Sequence, residues 1–566
     1  MLFLAKQGIA FRGHCEGEGS SNQGNLLECV QLLSKFDPFL QQYNAPANAT
    51  YLSPSSQNDF IKCSSSLLTS RIRDEVREAK MFSIMADEAK DGNTEQLAVC
   101  VRYVFQERIR ERFLCLRRLG GYDAESITNA LEEVLGSHGI DGLKVVAQSY
   151  DGAAVMSGSV RGVQTRFREK HPEAIYVHCY AHELNLVLCH TCKAIPEASF
   201  FFDMLESLYS CFSTSIKSHD QLVAVQKELN IERRELVQIS STRWSCQVNS
   251  INALLRNFPA VIASLQMLNT PIAVGLLSKL SKRTTVYLLV VIQRLLGITE
   301  GFHRFLQGTS IDLARAVQFK SAIHDTLVSQ RTEQVAEELY EVTKQLCSDH
   351  NLPEPSPAPR RKQRRMDDFV VEASTGSGSD LLNDSECLKQ GLFFPCIDRM
   401  INELGHRFST VAGELMDGIQ ACHPASKSFL CLQSLEKLAT HYHIQLVPEE
   451  VLVAKSFLSR KDPDSIPDTL SVFKLLDSMM FPSLRAILQV ALTIPVSSCS
   501  CERSFSALRR LHTWLRSTMG QERLNELAVL SIERELVGDI TEDEVIDEFA
   551  RLKSRRHTLI LPPTAK

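Results

Sequence analysis

Across 566 residues, 44% of them hydrophobic, 62 basic side chains stand against 67 acidic ones for a formal net charge of −5. The hydrophobic content excludes a disordered chain, the length suggests about three domains at roughly 100–200 residues each, and the negative balance excludes a protein that coats nucleic acid by overall charge. Seventeen cysteines, scattered through apolar runs without an even framework of spacings, suit reduced thiols in the cytosol or nucleus.

The apolar start is too short for a signal peptide and has no small-residue cleavage site. No run reaches the ~18 apolar residues of a membrane span; 286–298, "VYLLVVIQRLLGI", comes nearest, contains an arginine, and reads as a buried helix. The segment 1–80 is helical, with helical spacing in "GNLLECVQLLSKFDPFL" and "SSSLLTSRIRDEVREAK" around a Pro/Asn/Ser loop. The period then changes. "MFSIMAD" (81–87), "QLAVCVRYVFQ" (96–106) and "RERFLCLRRL" (110–119), separated by short turns, predict three strands in an antiparallel meander.

A capped helix ("DAESITNALEEVLGSHG"), a buried strand (143–151), a helix, a strand (174–181) and a helix follow. The order β-β-β-α-β-α-β-α predicts an α/β fold in which a mixed sheet, its later strands parallel, is covered by helices on both faces. This makes 81–245 the first part of a core, and 246–480 a large all-helical insertion. Within it, 351–380 is rich in Pro, Ser, Gly and charge and reads as a flexible linker; its "PRRKQRR" (359–365) is a candidate nuclear-import signal or a solvated basic run. Residues 481–540 return to amphipathic helices, and 541–566 read as a charged tail.

In this topology the first strand is central and the fourth is its neighbour, so Asp87 and Asp151, at the ends of those strands, converge on one sheet edge. Hard oxygen ligands so placed suit Mg²⁺ or Mn²⁺ in phosphoryl chemistry, with a third carboxylate still required. Cys179-x-x-His182 admits three readings. A nucleophile with its base lacks a visible orienting Asp or Asn; structural zinc with Cys189 and Cys192 must contend with the helix-like "ELNLVL" between the pairs; the third is a buried strand-to-helix junction. Leu508, Leu511, Leu515, Leu524, Leu527 and Leu530 form apolar faces that either the chain's own core or a second copy could bury.

Five motifs in order, "FSIMADEAKD", "YDGAAVMSG", "HCYAHELNLVL", "STRW" and "CERSFS", resemble the hAT-superfamily transposases, and most closely the transposon-derived proteins of the zinc-finger MYM-type protein 1 kind. The resemblance runs from about residue 8 to 537. It implies a ribonuclease-H-like domain interrupted by a helical insertion and closed by a C-terminal segment that completes the domain and forms a homodimer. Carried over, Asp87, Asp151 and Glu502 would be the three catalytic, metal-holding acids; Arg243 and Trp244 would lie beside the cleaved DNA end, where an indole can stack on a base; Cys179 and His182 would shape the site without zinc. Phe505 and the leucines after it would belong to the dimerisation region.

The chain departs from the family pattern at Val155, where relatives commonly have Asn, and at the cysteines of "SCSCERSFS", where Ser or Ala is usual. Members of this kind also begin with a DNA-recognising zinc finger, and no C-x₂-C…H-x₃-H series occurs in the first eighty residues. Two readings follow. In one, the chain is a transposon-derived nuclear protein that keeps the fold, dimerises and acts as a DNA-associated regulatory module, without a cofactor. In the other, it is a transposase in which the three acids hold Mg²⁺ or Mn²⁺ for DNA cleavage and strand transfer. Neither reading has a membrane or a small-molecule substrate as partner.

Overall fold

A computed structural model describes every residue except 18, 43–49, 240–243, 354–383, 409–410, 412, 514–515 and 556–566. The basic run at 359–365, Arg243 and Leu515 therefore lie outside the described residues, as do the side chains of Trp244 and Cys192. The chain forms two compact units. The first gathers Met1–His182, Leu306–Val317 and Ser409–Lys566; the second comprises Glu183–Phe305 and Gln318–Phe408.

The first unit is built on one five-stranded mixed sheet of β1 (Met81–Asp91), β2 (Thr94–Phe105), β3 (Arg108–Arg118), β4 (Lys144–Tyr150) and β5 (Ile175–His178), in the order β3-β2-β1-β4-β5. The three strands of the meander pair antiparallel, and β4 and β5 add in parallel, β4 directly beside β1. The β1–β2 hairpin closes at Gly92, whose φ of +61° lies where a side chain would strain the turn. Central β1 is covered on both faces, with Phe82, Ile84, Met85 and Ala86 fully buried, which is why it reads as a continuous apolar run instead of an alternating one.

The helices of this unit are α1 (Pro54–Ala79), α2 (Ala124–Ser137), α3 (Val163–Lys170) and, from the C-terminal part, α5 (Pro482–Thr493), α6 (Cys499–Leu511), α7 (Gln521–Ile532) and α8 (Glu542–Leu552); α4 starts at Tyr180 and runs on into the second unit. Ser53 caps α1 by accepting the Ser56 N–H, with proline in its first turn, and Asp123 caps α2 by accepting from Glu125 and Ser126. One apolar core joins Ile61, Leu68 and Ile72 of α1 to the strands and to Leu524, Leu527 and Leu530 of α7. Much of the tail expected at 541–566 is α8. Thr541 and Glu544 form a reciprocal capping box, and Arg71 of α1 holds the Glu544 carboxylate at 2.8 Å.

The second unit is helical among its described residues. Its boundaries differ from the composition breaks: it begins at Glu183, within the helix that follows β5, and the first unit takes the chain back at 306–317 and again from 409. Helix continuity across residue 183 conceals that boundary in a pattern-based reading. The helix Arg283–Leu306 is long and apolar enough to cross a membrane by length and composition, and 61% of its apolar window is buried inside the protein. Arg407 pairs with Glu183 at 3.0 Å and with Glu403 at 2.8 Å, tying both ends of this unit's chain together.

Arg102, on β2, is completely buried. A charge there requires full hydrogen bonding, and it has it: Nε donates to the Leu492 carbonyl at 3.0 Å, Nη1 to Glu111 at 2.7 Å and to the Thr309 carbonyl at 3.1 Å, and Nη2 to the Ile311 carbonyl. Glu111 in turn accepts from Ser500 and lies 3.5 Å from Arg503, both on α6. Arg102→Leu, which strands Glu111 and three carbonyls, is expected to lower the unfolding free energy of the first unit by about 3–5 kcal/mol, read as a shifted urea transition by circular dichroism.

Candidate functional site

Asp87 lies near the C-terminal end of β1, opposite Ala98 of β2, and Asp151 follows the last residue of β4. Because these strands are parallel neighbours, both carboxylates reach the same edge of the sheet. Glu502 enters from the first turn of α6. Burial pushes the Asp87 carboxyl well above its ordinary range, and the charges of Glu502 and Asp151 push it further, so the three acids proposed from the sequence stand close enough to feel one another. Asp87 accepts the Glu88 N–H at 3.0 Å, and Asp151 accepts that of Ala153 at 3.2 Å.

A fourth acid was missed. Glu88 is raised to about 7 by burial, then by Glu95 and Asp151, and its Oε1 is buried without a hydrogen-bond partner. Strand alternation turns it away from Asp87's face, so a search for one converging set passes over it; the adjacent "DE" in "MADEAKD" was the only signal.

The junction after β5 explains Cys179 and His182. The Cys179 N–H donates to the Tyr150 carbonyl and the Tyr180 N–H to the Val496 carbonyl, each at 3.0 Å, while the Cys179 sulfur accepts the Ser498 N–H at 3.3 Å. Ser498 immediately precedes α6, so the thiol anchors the start of the helix that carries Glu502. Hydrogen bonding from Cys499 and Ser498 lowers the Cys179 thiol pKa against the opposing effect of burial. His182 stacks on His178, ring centroids 5.7 Å apart, and His178 on Tyr176, whose hydroxyl donates to the Asp151 carbonyl. These contacts are those of a strand-to-helix junction.

That stack also accounts for the glycine of "YDG". A Cβ at Gly152 would come within 2.4 Å of the His178 ring, itself buried and with little room to move.

The oxygen donors of the acid edge match a hard divalent cation in chemistry. Among the described residues no three His, Cys, Asp or Glu side chains form a group that could hold a metal ion; the zinc set considered at Cys179 includes Cys192, whose side chain lies outside them. Nor is the leucine stripe at the surface. Phe505, Leu508, Leu511, Leu524, Leu527 and Leu530 are each at most 5% exposed and belong to the unit's own core, so they are not available to a partner. Burial of α6 and α7 against β1–β3 uses the face that amphipathicity alone left open to a second copy.

Comparison with known proteins agrees with this architecture. Residues 1–162 match the family model described as ZMYM1/FAM200, RNase-like domain, and residues 450–536 match that of the hAT family C-terminal dimerisation region. The chain is 24% identical over 595 aligned positions to the 52 kDa repressor of the inhibitor of the protein kinase of Homo sapiens, covering 99% of this chain and 76% of that one. The Mus musculus protein of the same name is 24% identical over 596 positions with the same coverage.

Two outcomes follow from this geometry. A carboxyl whose folded pKa is raised contributes stability that is present below its unfolded pKa and lost as pH rises through the folded one. The unit is therefore expected to lose on the order of 2 kcal/mol between pH 4.5 and 7 through Glu88; Glu88→Gln should flatten that slope in thermal melts, with Asp87→Asn extending the effect. Gly152→Ala is expected to destabilise by roughly 1–3 kcal/mol, and a melting temperature equal to that of the parent chain would remove the steric account.

Proposed function

We propose that this chain is a transposon-derived nuclear protein of hAT type, which uses a ribonuclease-H-like domain and a C-terminal dimerisation region in a DNA-associated regulatory role. The observation that carries the proposal is the pairing of an RNase-like match at 1–162 with a dimerisation-region match at 450–536, on a chain similar over nearly its whole length to proteins named as a repressor.

In this reading two copies meet through the surface of the matched region. The helix Pro448–Leu458 exposes Leu452 and Val453, and the turn just before α5 exposes Met479 and Met480, the former at 90%. Glu450 accepts the N–H groups of Ser483 and Leu484 at 3.0 and 3.1 Å, which holds these two segments beside each other. Light scattering at micromolar concentration is expected to give twice the 63.5 kDa chain mass. Leu452→Asp with Met480→Asp should shift it toward a single chain by at least tenfold in Kd. A single chain in the parent protein would remove the dimer.

A second reading, a metal-dependent transposase, is favoured by the approach of Glu502 and Asp151 to the buried Asp87 carboxyl. Nicking of supercoiled DNA with Mn²⁺ separates the two readings. The regulator predicts no activity in the parent chain, Asp87→Asn or Glu502→Gln, and the same melting temperature with and without Mn²⁺ in all three. Activity in the parent that both substitutions abolish would establish the enzyme.

A further inference from the structure

The edge strand β3 carries arginines at alternate positions, 108, 110 and 112, so that all three project to one side of the sheet. They do not open onto flat solvent. Together with Lys474, Arg510 of α6 and Arg534 they line a cavity of about 800 Å³ within the first unit. Three carboxylates also line it, Glu111, Glu533 and Glu535, and each is already engaged: Glu111 by Arg102 at 2.7 Å, Glu533 by Arg112 at 2.9 Å, and Glu535 by Arg112 at 3.7 Å. Arg108, Arg110, Lys474, Arg510 and Arg534 have no carboxylate within ion-pair distance among the described residues. A strong local positive field thus sits on a chain whose net charge is −5.

Three buried polar atoms of residues that line it are also left without a partner: Nε of Arg110, Nε of Arg112 and Oγ of Ser531. Arg112 and Ser531 are only 7% and 2% exposed, so water does not readily satisfy them from outside. A buried donor left without its hydrogen bond is costly, more so when it is charged, and three together around cations without carboxylate partners define what is missing: an acceptor with several negative oxygens.

We propose that this cavity is a binding site for a compact polyphosphate-bearing anion. Cations converge on it from a strand, from α6 and from the segments around 474 and 534, which surrounds one small ligand instead of tracking an extended strand. Its volume falls in the range of small-molecule sites, about 300–1,000 Å³. Among the described residues the single aromatic on the wall, Phe113, is buried at 2% exposure, so none of them offers an open ring to stack a base as single-strand sites require. The site is separate from the acid edge, yet Arg510 and Glu502 belong to the same helix, so an occupant bears on the element that presents the third acid.

The test is calorimetric titration of the full chain with inorganic tripolyphosphate at low ionic strength, with inorganic phosphate and a short oligothymidylate as the other arms. The expected result is one tripolyphosphate per chain, at least tenfold weaker phosphate binding, and at least a tenfold loss in both Arg110→Gln and Arg510→Gln. Arg509→Gln, on the same helix but outside the cavity wall, should bind as the parent does. Arg510 is exposed and unpaired, so its substitution keeps the fold and the comparison remains valid if Arg110→Gln misfolds. The proposal is overturned by the absence of tripolyphosphate binding, by equal affinity in Arg510→Gln, or by oligothymidylate displacing tripolyphosphate with higher affinity through the same arginines.

Discussion

The ion pair between Arg102 and Glu111 is the constraint on which the rest of the first unit depends. An arginine with no exposed surface must find acceptors for its whole guanidinium, and those acceptors come from distant parts of the chain: the end of α5, the return segment at 309–311 and the neighbouring strand. Glu111 then extends the same network to Ser500 and Arg503 at the start of α6. One buried charge therefore sets where the chain re-enters the unit after its excursion, and where the helix bearing Glu502 begins. Cys179 holds that helix from the other side through the Ser498 amide, so the position of the third acid is fixed by two unrelated contacts.

Opposite charges organise the two sides of this unit differently. At the acid edge, Asp87 and Glu88 are held by burial and by neighbouring carboxylates in a state that resists ionisation. Along β3, arginines crowd around a cavity with too few acids to balance them. Both arrangements raise the energy of the empty protein, and both are affordable because the apolar core joining α1, α7 and the sheet is continuous.

The sheet was largely legible in the sequence. β-branched and aromatic runs of the right length, punctuated by "KDGN" and "GG", announce the meander, and the change of period after it announces the parallel strands; placing β1 at the centre followed from that order, as did the approach of Asp87 to Asp151. What was not legible depends on contacts between remote residues. The leucines of α6 and α7 carry the same periodicity whether they face their own core or a partner. Glu88 looks like a solvated strand residue until the neighbouring carboxylates are placed around it. The start of the second unit is invisible because the helix from Tyr180 runs through it without a break. The arginines of β3 read as an ordinary exposed edge until the segments at 474 and 534 close over them.

The first unit is assembled from three separated stretches of chain, the last beginning at 409. A ribosome releases the five strands early, while α5, α6 and α7, which cover them, emerge only after the whole second unit has been made. During that interval the faces of β1 and β2 that α6 will bury are bare, and the chain closes its site through contacts separated by roughly four hundred positions. Such long-range closure is slow and leaves apolar strands open to association with other nascent chains. Folding of this protein in a cell is therefore a matter of guarding an unfinished sheet, and any chain that stopped before residue 499 would lack the part of its cover that α6 and α7 supply.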